Sequence, residues 1–279
     1  MEDVVIVLAA DARYLRPLLT TIVSLAVSGG IGTQDVPIRV LTNDFGRDEM
    51  RQLYTVGREL DLDLEVIDVG PVDDRFPVSD WISSAAYLRL DLIHACGEAG
   101  RAIYLDCDLI SLGDLQPLLD AETGPILAAV QDSGEPHLGQ GEAIPGFEHL
   151  GIPRGRQYFN TGVMVIDVQA WRDEEIAERC RTFLVEFPQH TRFWDQDALN
   201  VVLEDRWLRL PSELNAFPVS AFPEWFDEPA RAALRKTEDA ALVLHFKGPI
   251  KPWTDRFPHG HARRTYHRYS AILDQIGAF

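Results

Sequence analysis

The chain has 279 residues, of which 46% are apolar, 25% charged and 9% aromatic, a balance that excludes fibrous and disordered classes. Its 44 acidic against 26 basic side chains give a formal charge of −18, and such a field makes DNA, RNA and anionic membrane poor partners. A phosphorylated ligand therefore requires a local exception to that acidity.

The apolar run Val4–Ala10 predicts a strand covered on both faces, and Leu15–Val27 the helix that follows it. Short β-branched runs at Ile38–Thr42, Leu64–Val69, Ala102–Leu105 and Ile126–Val130 predict further strands, with helices near Asp48–Leu60 and Ser83–His94 between the earlier ones. Strands alternating with helices predict an α/β fold with a mainly parallel central sheet, whose ligands bind beyond the carboxyl ends of the strands. From Gln131 to Arg156 periodicity gives way to nine glycines and prolines, the composition of a functional loop or a linker. Order returns with a strand over Gly162–Val168 and helices over Gln169–Glu186 and Asp197–Leu203. Arg206–Leu210 leads into the aromatic-rich Phe217–Phe226, then a strand at Ala241–Phe246 and a last helix near Ala262–Ile276.

Cys96, Cys107 and Cys180 are widely spaced and form no CxxC pair, which suits a reduced protein better than a disulfide framework or a zinc site. No apolar run reaches the roughly eighteen residues of a membrane helix. Glu2 and Asp3 stand where a signal peptide carries basic residues. The expectation is a cytoplasmic protein, with peripheral membrane contact left open.

The chemistry concentrates first at Asp106-Cys107-Asp108, where two acids follow a strand at its carboxyl end. Strand alternation turns both carboxylates to one side, where they can share a hard divalent cation. A haloacid-dehalogenase-like, Mg2+-dependent phosphatase uses the first acid of such a triplet as nucleophile, whereas a nucleotide-sugar transferase uses both for the metal. The phosphatase motif sits near the start of a chain and continues Asp-x-Asp-x-Thr/Val. Here the triplet is central and continues Leu109-Ile110-Ser111, which favours the transferase. Three further segments matter jointly: Tyr158–Val163, Trp194–Asn200 and His245–Trp253. Taken singly, Asn160 and Gly162 read as turn chemistry, Asp195 and Gln196 as a helix cap, and His245 as a strand-end histidine.

With these segments in this order, the sequence resembles the retaining glycosyltransferases of family 8, the group of glycogenin and the lipooligosaccharide galactosyltransferases. The resemblance runs from Ala9-Ala10-Asp11 through Leu88-Arg89-Leu90, Tyr104–Asp108, Phe159–Gly162 and Asp195-Gln196-Asp197 to His245–Trp253. It implies one GT-A domain over residues 1–279, with residues 1–130 as the nucleotide and metal half. Residues 131–279 then supply an acceptor loop, the sugar site and the carboxyl-terminal half. It implies a UDP-sugar donor, UDP-glucose or UDP-galactose, and a divalent metal, Mn2+ with Mg2+ as the alternative, on Asp106, Asp108 and His245. Mixed oxygen and imidazole ligation suits Mn2+ better than Ca2+.

By the same resemblance Ala9, Asp11 and Tyr14 meet the uracil, Gly248 and Lys251 the diphosphate, and Arg89, Asn160, Asp195 and Gln196 the donor sugar. Asp132 matches an acid near a hydroxyl acceptor of unspecified identity. Gln196, Asp195, Asp197 and Asp132 are thus the catalytic candidates, with a carboxylate nucleophile at Asp195 or Asp197 left open. A nucleotide-sugar-binding module without turnover is the remaining alternative. The carboxyl-terminal segment, with Arg256, Arg263, Arg264 and Arg268, reads as a solvated helix face more than as a membrane-touching tail.

Overall fold

Residues 4–30, 36–78 and 84–279 are described by the computed structural model. Glu2, Asp3 and Ser83 lie outside the described residues. β1 (Val4–Ala9) is apolar and buried along its whole length, and its alternation splits the core. Val4, Ile6 and Leu8 face α1 (Leu15–Val27), while Val5, Val7 and Ala9 face the opposite layer. β2 (Ile38–Thr42), α2 (Arg47–Glu59) and β3 (Leu64–Asp68) follow as expected. The next helical stretch, Ser84–Ala95, is wound as a 3-10 helix and carries Arg89 at its centre.

β4 (Arg101–Leu105) ends at the two acids, and the chain then forms the short β5 (Leu109–Ser111) and the one-turn α3 (Gln116–Leu119). β6 (Leu127–Gln131) and the long β7 (Phe159–Asp167) complete the middle of the main sheet. β7 begins earlier than expected, so Asn160 and Thr161 belong to a strand and not to a turn. Its pairing with β6 is irregular between Ala129 and Val130, beside the site. The helix expected over Gln169–Glu186 is instead two, α4 (Val168–Asp173) and α5 (Ile176–Glu186), because Glu175 takes a left-handed conformation at φ +50°. α6 (Asp195–Leu203), β8 (Trp207–Arg209), α7 (Glu228–Asp239), β9 (Val243–His245) and α8 (His261–Ile276) end the chain.

Seven strands form one sheet in the order β3-β2-β1-β4-β7-β6-β8, in which β7 runs antiparallel and the others run parallel to one another. The α/β class with a mainly parallel sheet is therefore as the pattern of strands and helices predicts. The strand expected at Ala241–Phe246 does not join this sheet. As β9 it pairs antiparallel with β5, with Leu109 opposite His245. The segment from Gln131 to Gln157 is no linker. Leu138, Ala143, Ile144, Phe147, Ile152 and Tyr158 give it a small apolar core of its own. Among the described residues no helix is long and apolar enough to cross a membrane.

Candidate active site

The Asp106–Asp108 turn is held from beneath by hydroxyls of α1, an otherwise apolar buried helix. Thr21 Oγ1 donates to the carbonyls of Cys107 at 3.0 Å and Leu109 at 2.8 Å, and Ser24 Oγ accepts from Ser111 N at 2.9 Å. On the other flank Asp106 N donates to Gly162 O and Phe246 N to Asp108 O. These bonds satisfy the backbone of a tight turn and fix the direction of both carboxylates. The β5–β9 pairing then delivers the imidazole: His245 Nε2 lies 3.1 Å from Asp108 Oδ1 and 3.6 Å from Asp106 Oδ2. The three side chains each offer a ligand atom within 4.8 Å of the others. A Cβ at position 162 would stand 2.2 Å from His245 Cε1, so glycine is required there by close approach.

The second ring nitrogen of His245 is also assigned. Nδ1 lies 2.8 Å from Asn215 Oδ1, and Asn215 Nδ2 donates to Asn160 Oδ1 at 2.8 Å, so the amide presents its oxygen to the ring. An N–H on Nδ1 facing that oxygen leaves Nε2 as the ring nitrogen turned to the carboxylates, where a metal would bind. Two carboxylates and an imidazole nitrogen form a donor set that fits a divalent cation.

These groups line one cleft of about 370 Å³ together with Ala9, Asp11, Tyr14, Arg89, Asp132, Asn160, Asp195, Gln196, Gly248 and Lys251. At the β1 end, Asp11 caps the short 3-10 turn Ala12–Tyr14 by accepting from Tyr14 N at 3.1 Å, and Tyr14 meets the edge of Trp253 at 5.7 Å. Lys251 Nζ pairs with Asp108 and donates to Phe246 O at 2.9 Å. Burial alone would raise the Asp108 carboxyl, but Lys251 and His245 outweigh it and hold it below the usual carboxylate range. Arg89, buried against the Tyr104 ring, spans Asp106 at 3.0 Å and Asp195 at 2.8 Å. The second contact is an ion pair without hydrogen-bond geometry, and among the described residues no other donor reaches Asp195 Oδ2. Burial pushes the Asp195 carboxyl up to about 6 against the pull of Arg89.

On the far wall a chain of amides and acids runs through Asp132, Asn160 and Gln196. Asn160 Nδ2 donates to Asp132 Oδ2 at 3.0 Å and to Gln196 Oε1 at 2.9 Å, and Gln196 Oε1 also accepts from Thr161 N at 3.1 Å. Asp132 is lifted by burial but more strongly lowered by Lys247, 2.7 Å away, and by the N–H groups of Glu135 and Gly134, which leaves it at about 2.

The profile of glycosyl transferase family 8 matches residues 5–256. The chain belongs to this family. General stress protein A of Bacillus subtilis is 28% identical over 95% of the chain and 92% of that relative. Lipopolysaccharide 1,2-glucosyltransferase of Escherichia coli is 31% identical over 63% of the chain, which spans about half (51%) of that protein's length. The structure of galactosyltransferase LgtC in complex with donor and acceptor sugar analogues superposes with a TM-score of 0.78, covering 98% of this chain and 99% of that one at 23% identity. That likeness is one of fold.

In this family 8 chain the structure gathers every candidate metal, binding and catalytic residue named from the sequence into the cleft except one. Asp197 does not line it. Its carboxylate is wholly buried behind Gln196, accepting from Tyr158 OH at 2.6 Å and from the backbone N–H groups of Arg192 at 2.5 Å, Phe193 at 2.7 Å and Ile144 at 3.3 Å. Successive helix residues turn by roughly 100°, so Asp197 lies roughly 200° around α6 from Asp195. The sequence reading missed Asn215, which ends the short 3-10 turn Ser212–Asn215 and meets Asn160 and His245, neighbours distant in the chain.

Proposed function

We propose that the chain is a metal-dependent retaining hexosyltransferase that moves glucose or galactose from its UDP-sugar to a hydroxyl acceptor. The observation that carries this reading is the convergence of Asp106, Asp108 and the Nε2 side of His245 in the same cleft as Arg89, Asn160 and Gln196. Mn2+, or Mg2+, held by the first three would neutralise the diphosphate and act as a Lewis acid on it, the local exception that an acidic protein needs. Lys251 adds a cation beside them, and Gly248, at φ +90°, gives the backbone a turn that a side chain would strain. Tyr14 offers a ring face to the uracil, and Ala9 leaves room for it.

The transfer itself is read as a same-face displacement. The anomeric carbon–oxygen bond to UDP breaks, the acceptor oxygen bonds to that carbon on the same face, and the acceptor proton passes to the departing diphosphate oxygen. Asp132 and Asn160 orient the acceptor side of the sugar. The Gln196 carbonyl, held by Asn160 and Thr161, places a fixed dipole near the developing positive charge. Two observations favour this over a double displacement: Asp197 lies outside the cleft, and Asp195 is committed to Arg89. The silent-module alternative differs only in turnover.

Calorimetry of UDP binding in Mn2+ and in chelator tests the donor reading. Tight binding that chelator abolishes supports it, and equal affinity in both removes the metal assignment. A panel of UDP-sugars assayed for slow hydrolysis without acceptor then selects the hexose. Release of phosphate from an aryl phosphate, lost on Asp106→Asn, would point to the phosphatase chemistry instead.

A further inference from the structure

Large apolar side chains exposed on the surface are scattered singly among the described residues, and Trp225 alone of them also lines the cleft. Its indole is 47% exposed yet rigidly backed. The ring stacks on Phe222 with centroids 4.2 Å apart and planes 21° apart, and lies nearly parallel to Phe217 at 6.0 Å. Phe226 joins the same wall, its ring edge-on to Phe217 at 5.6 Å. Two consecutive 3-10 turns, Val219–Ala221 and Pro223–Trp225, hold these rings in place. A rigid aromatic stack that brings a half-exposed indole to the cleft offers a ligand a flat apolar surface.

The polar groups around that wall say what covers it. Lys247 Nζ lies 5.7 Å over the Phe217 ring and pairs with Asp132 at 2.7 Å, which ties the aromatic wall to the Asp132–Asn160–Gln196 wall. With the Lys247 charge matched by Asp132, Glu135 leaves this end of the cleft without surplus positive charge, and an anionic acceptor is disfavoured. A neutral ligand with one apolar face and a rim of hydroxyl donors is favoured. A pyranose has that form: its axial C–H groups meet an aromatic face while its hydroxyls donate to carboxylates and carbonyls.

We propose that Trp225, with Phe226 beside it, is the platform on which a neutral saccharide acceptor stacks. This rests on the transferase reading and assigns a residue to its acceptor side. An anionic metabolite would gain nothing from an indole beside the carboxylates of Asp132 and Glu135.

The test uses the full chain with Mn2+ and UDP, titrated with neutral mono- and disaccharides (glucosides, galactosides and mannosides) by saturation-transfer NMR. The expected result is saturation of at least one sugar, strongest at the ring C–H protons of one face. For the sugar that also serves as acceptor, Trp225→Ala is expected to raise KM about tenfold or more while the Kd for UDP stays within about twofold. Trp225→Phe is expected to recover most of that loss, because a smaller ring still stacks. Tyr54→Ala, an exposed aromatic on α2 away from the cleft, is the control that leaves KM unchanged. Normal UDP binding with no saccharide bound overturns the acceptor assignment alone, as does an unchanged KM in Trp225→Ala or binding by a peptide or an anionic metabolite. Failure of UDP to bind overturns the donor reading, and the acceptor assignment falls with it.

Discussion

His245 Nδ1 and Asn215 Oδ1 lie 2.8 Å apart in a buried contact, and the same amide donates to Asn160, so one side chain orients the imidazole and ties it to the Asp132–Asn160–Gln196 wall. Partners of this kind orient a ligating histidine and raise its basicity, and their loss commonly costs 10- to 100-fold in metal affinity. Asn215→Ala is therefore expected to weaken Mn2+ binding by about that factor, read from the free Mn2+ signal in electron paramagnetic resonance. Asn215→Asp keeps an acceptor for Nδ1–H and is expected to restore most of the affinity, while placing an oxygen against Asn160 Oδ1 and lowering turnover. A purely structural role predicts no such rescue. Equal Mn2+ affinity in the alanine variant and the parent would remove Asn215 from the metal centre.

Asp197 is expected to behave as a structural acid. Four donors converge on it, and removing the carboxylate in Asp197→Ala strands the N–H groups of Ile144, Arg192 and Phe193 and the Tyr158 hydroxyl. At about 1 kcal/mol or more per stranded buried donor, the loss is on the order of 3 kcal/mol or more. In a chain of this size that lowers Tm by roughly 10 °C, measurable by calorimetry. Tyr158→Phe removes one donor only and should cost about 1 kcal/mol. A sugar ester trapped on Asp197 in the unmodified enzyme would contradict this placement.

How much of this was legible depends on how local the cause is. β1 and α1 declare themselves through continuous or periodic apolar residues, and Asp106 and Asp108 follow a strand whose end is readable. His245 is different. Its own segment predicts a strand, but the partner that brings it to Asp108 is β5, three residues long and hidden in the run after the acids. α7 has no fully buried residue and sets only Leu234 against the core, so its apolar signal in the sequence is weak. Its start is nonetheless written as Asp227-Glu228-Pro229, a cap residue followed by proline in the first turn, with Asp227 accepting from Ala230 N at 2.9 Å. The break between α4 and α5 rests on the positive φ of Glu175, which no residue type there announces. Asn215 and the caging of Asp197 depend on contacts across the fold, and no window of sequence holds them.

Gln196 offers a separate prediction about the transition state. Its carbonyl is already aligned by Asn160 and Thr161, so it can stabilise positive charge without reorganising. Gln196→Ala is expected to lower kcat by about 10- to 100-fold while changing donor Kd by no more than about threefold, because the interaction strengthens as charge develops. Steady-state kinetics with calorimetry of the UDP-sugar separates the two. A variant that loses donor affinity and kcat in equal measure would make Gln196 a binding group only. In the parent, NMR of the product decides the stereochemistry, and an inverted linkage would reject retention.

Asp195 makes the site's response to pH predictable. Burial raises its carboxyl to about 6, above the ordinary value of 3.8, so the folded chain holds this proton more tightly than the unfolded chain does. Between about pH 4 and pH 6 the unfolded state releases the proton first, and this group's contribution to stability therefore falls as pH rises through that window. The full change is on the order of 3 kcal/mol. Asp108 and Asp132, held below their usual range by Lys251, His245 and Lys247, act in the opposite sense: they add stability above about pH 4 and lose it as the solution is acidified. The Asp195 effect is thus isolated by difference. Urea denaturation of the parent and of Asp195→Asn at a series of pH values should show the parent losing stability relative to the variant as pH rises from about 4 to about 6, with a constant difference above. Turnover should run the other way, because the ion pair with Arg89 that positions both groups beside Asp106 forms as Asp195 ionises. A parent and variant whose stabilities stay parallel across that window would show that Asp195 is already ionised at the acid end, and the rise of activity through about pH 6 would then need another group.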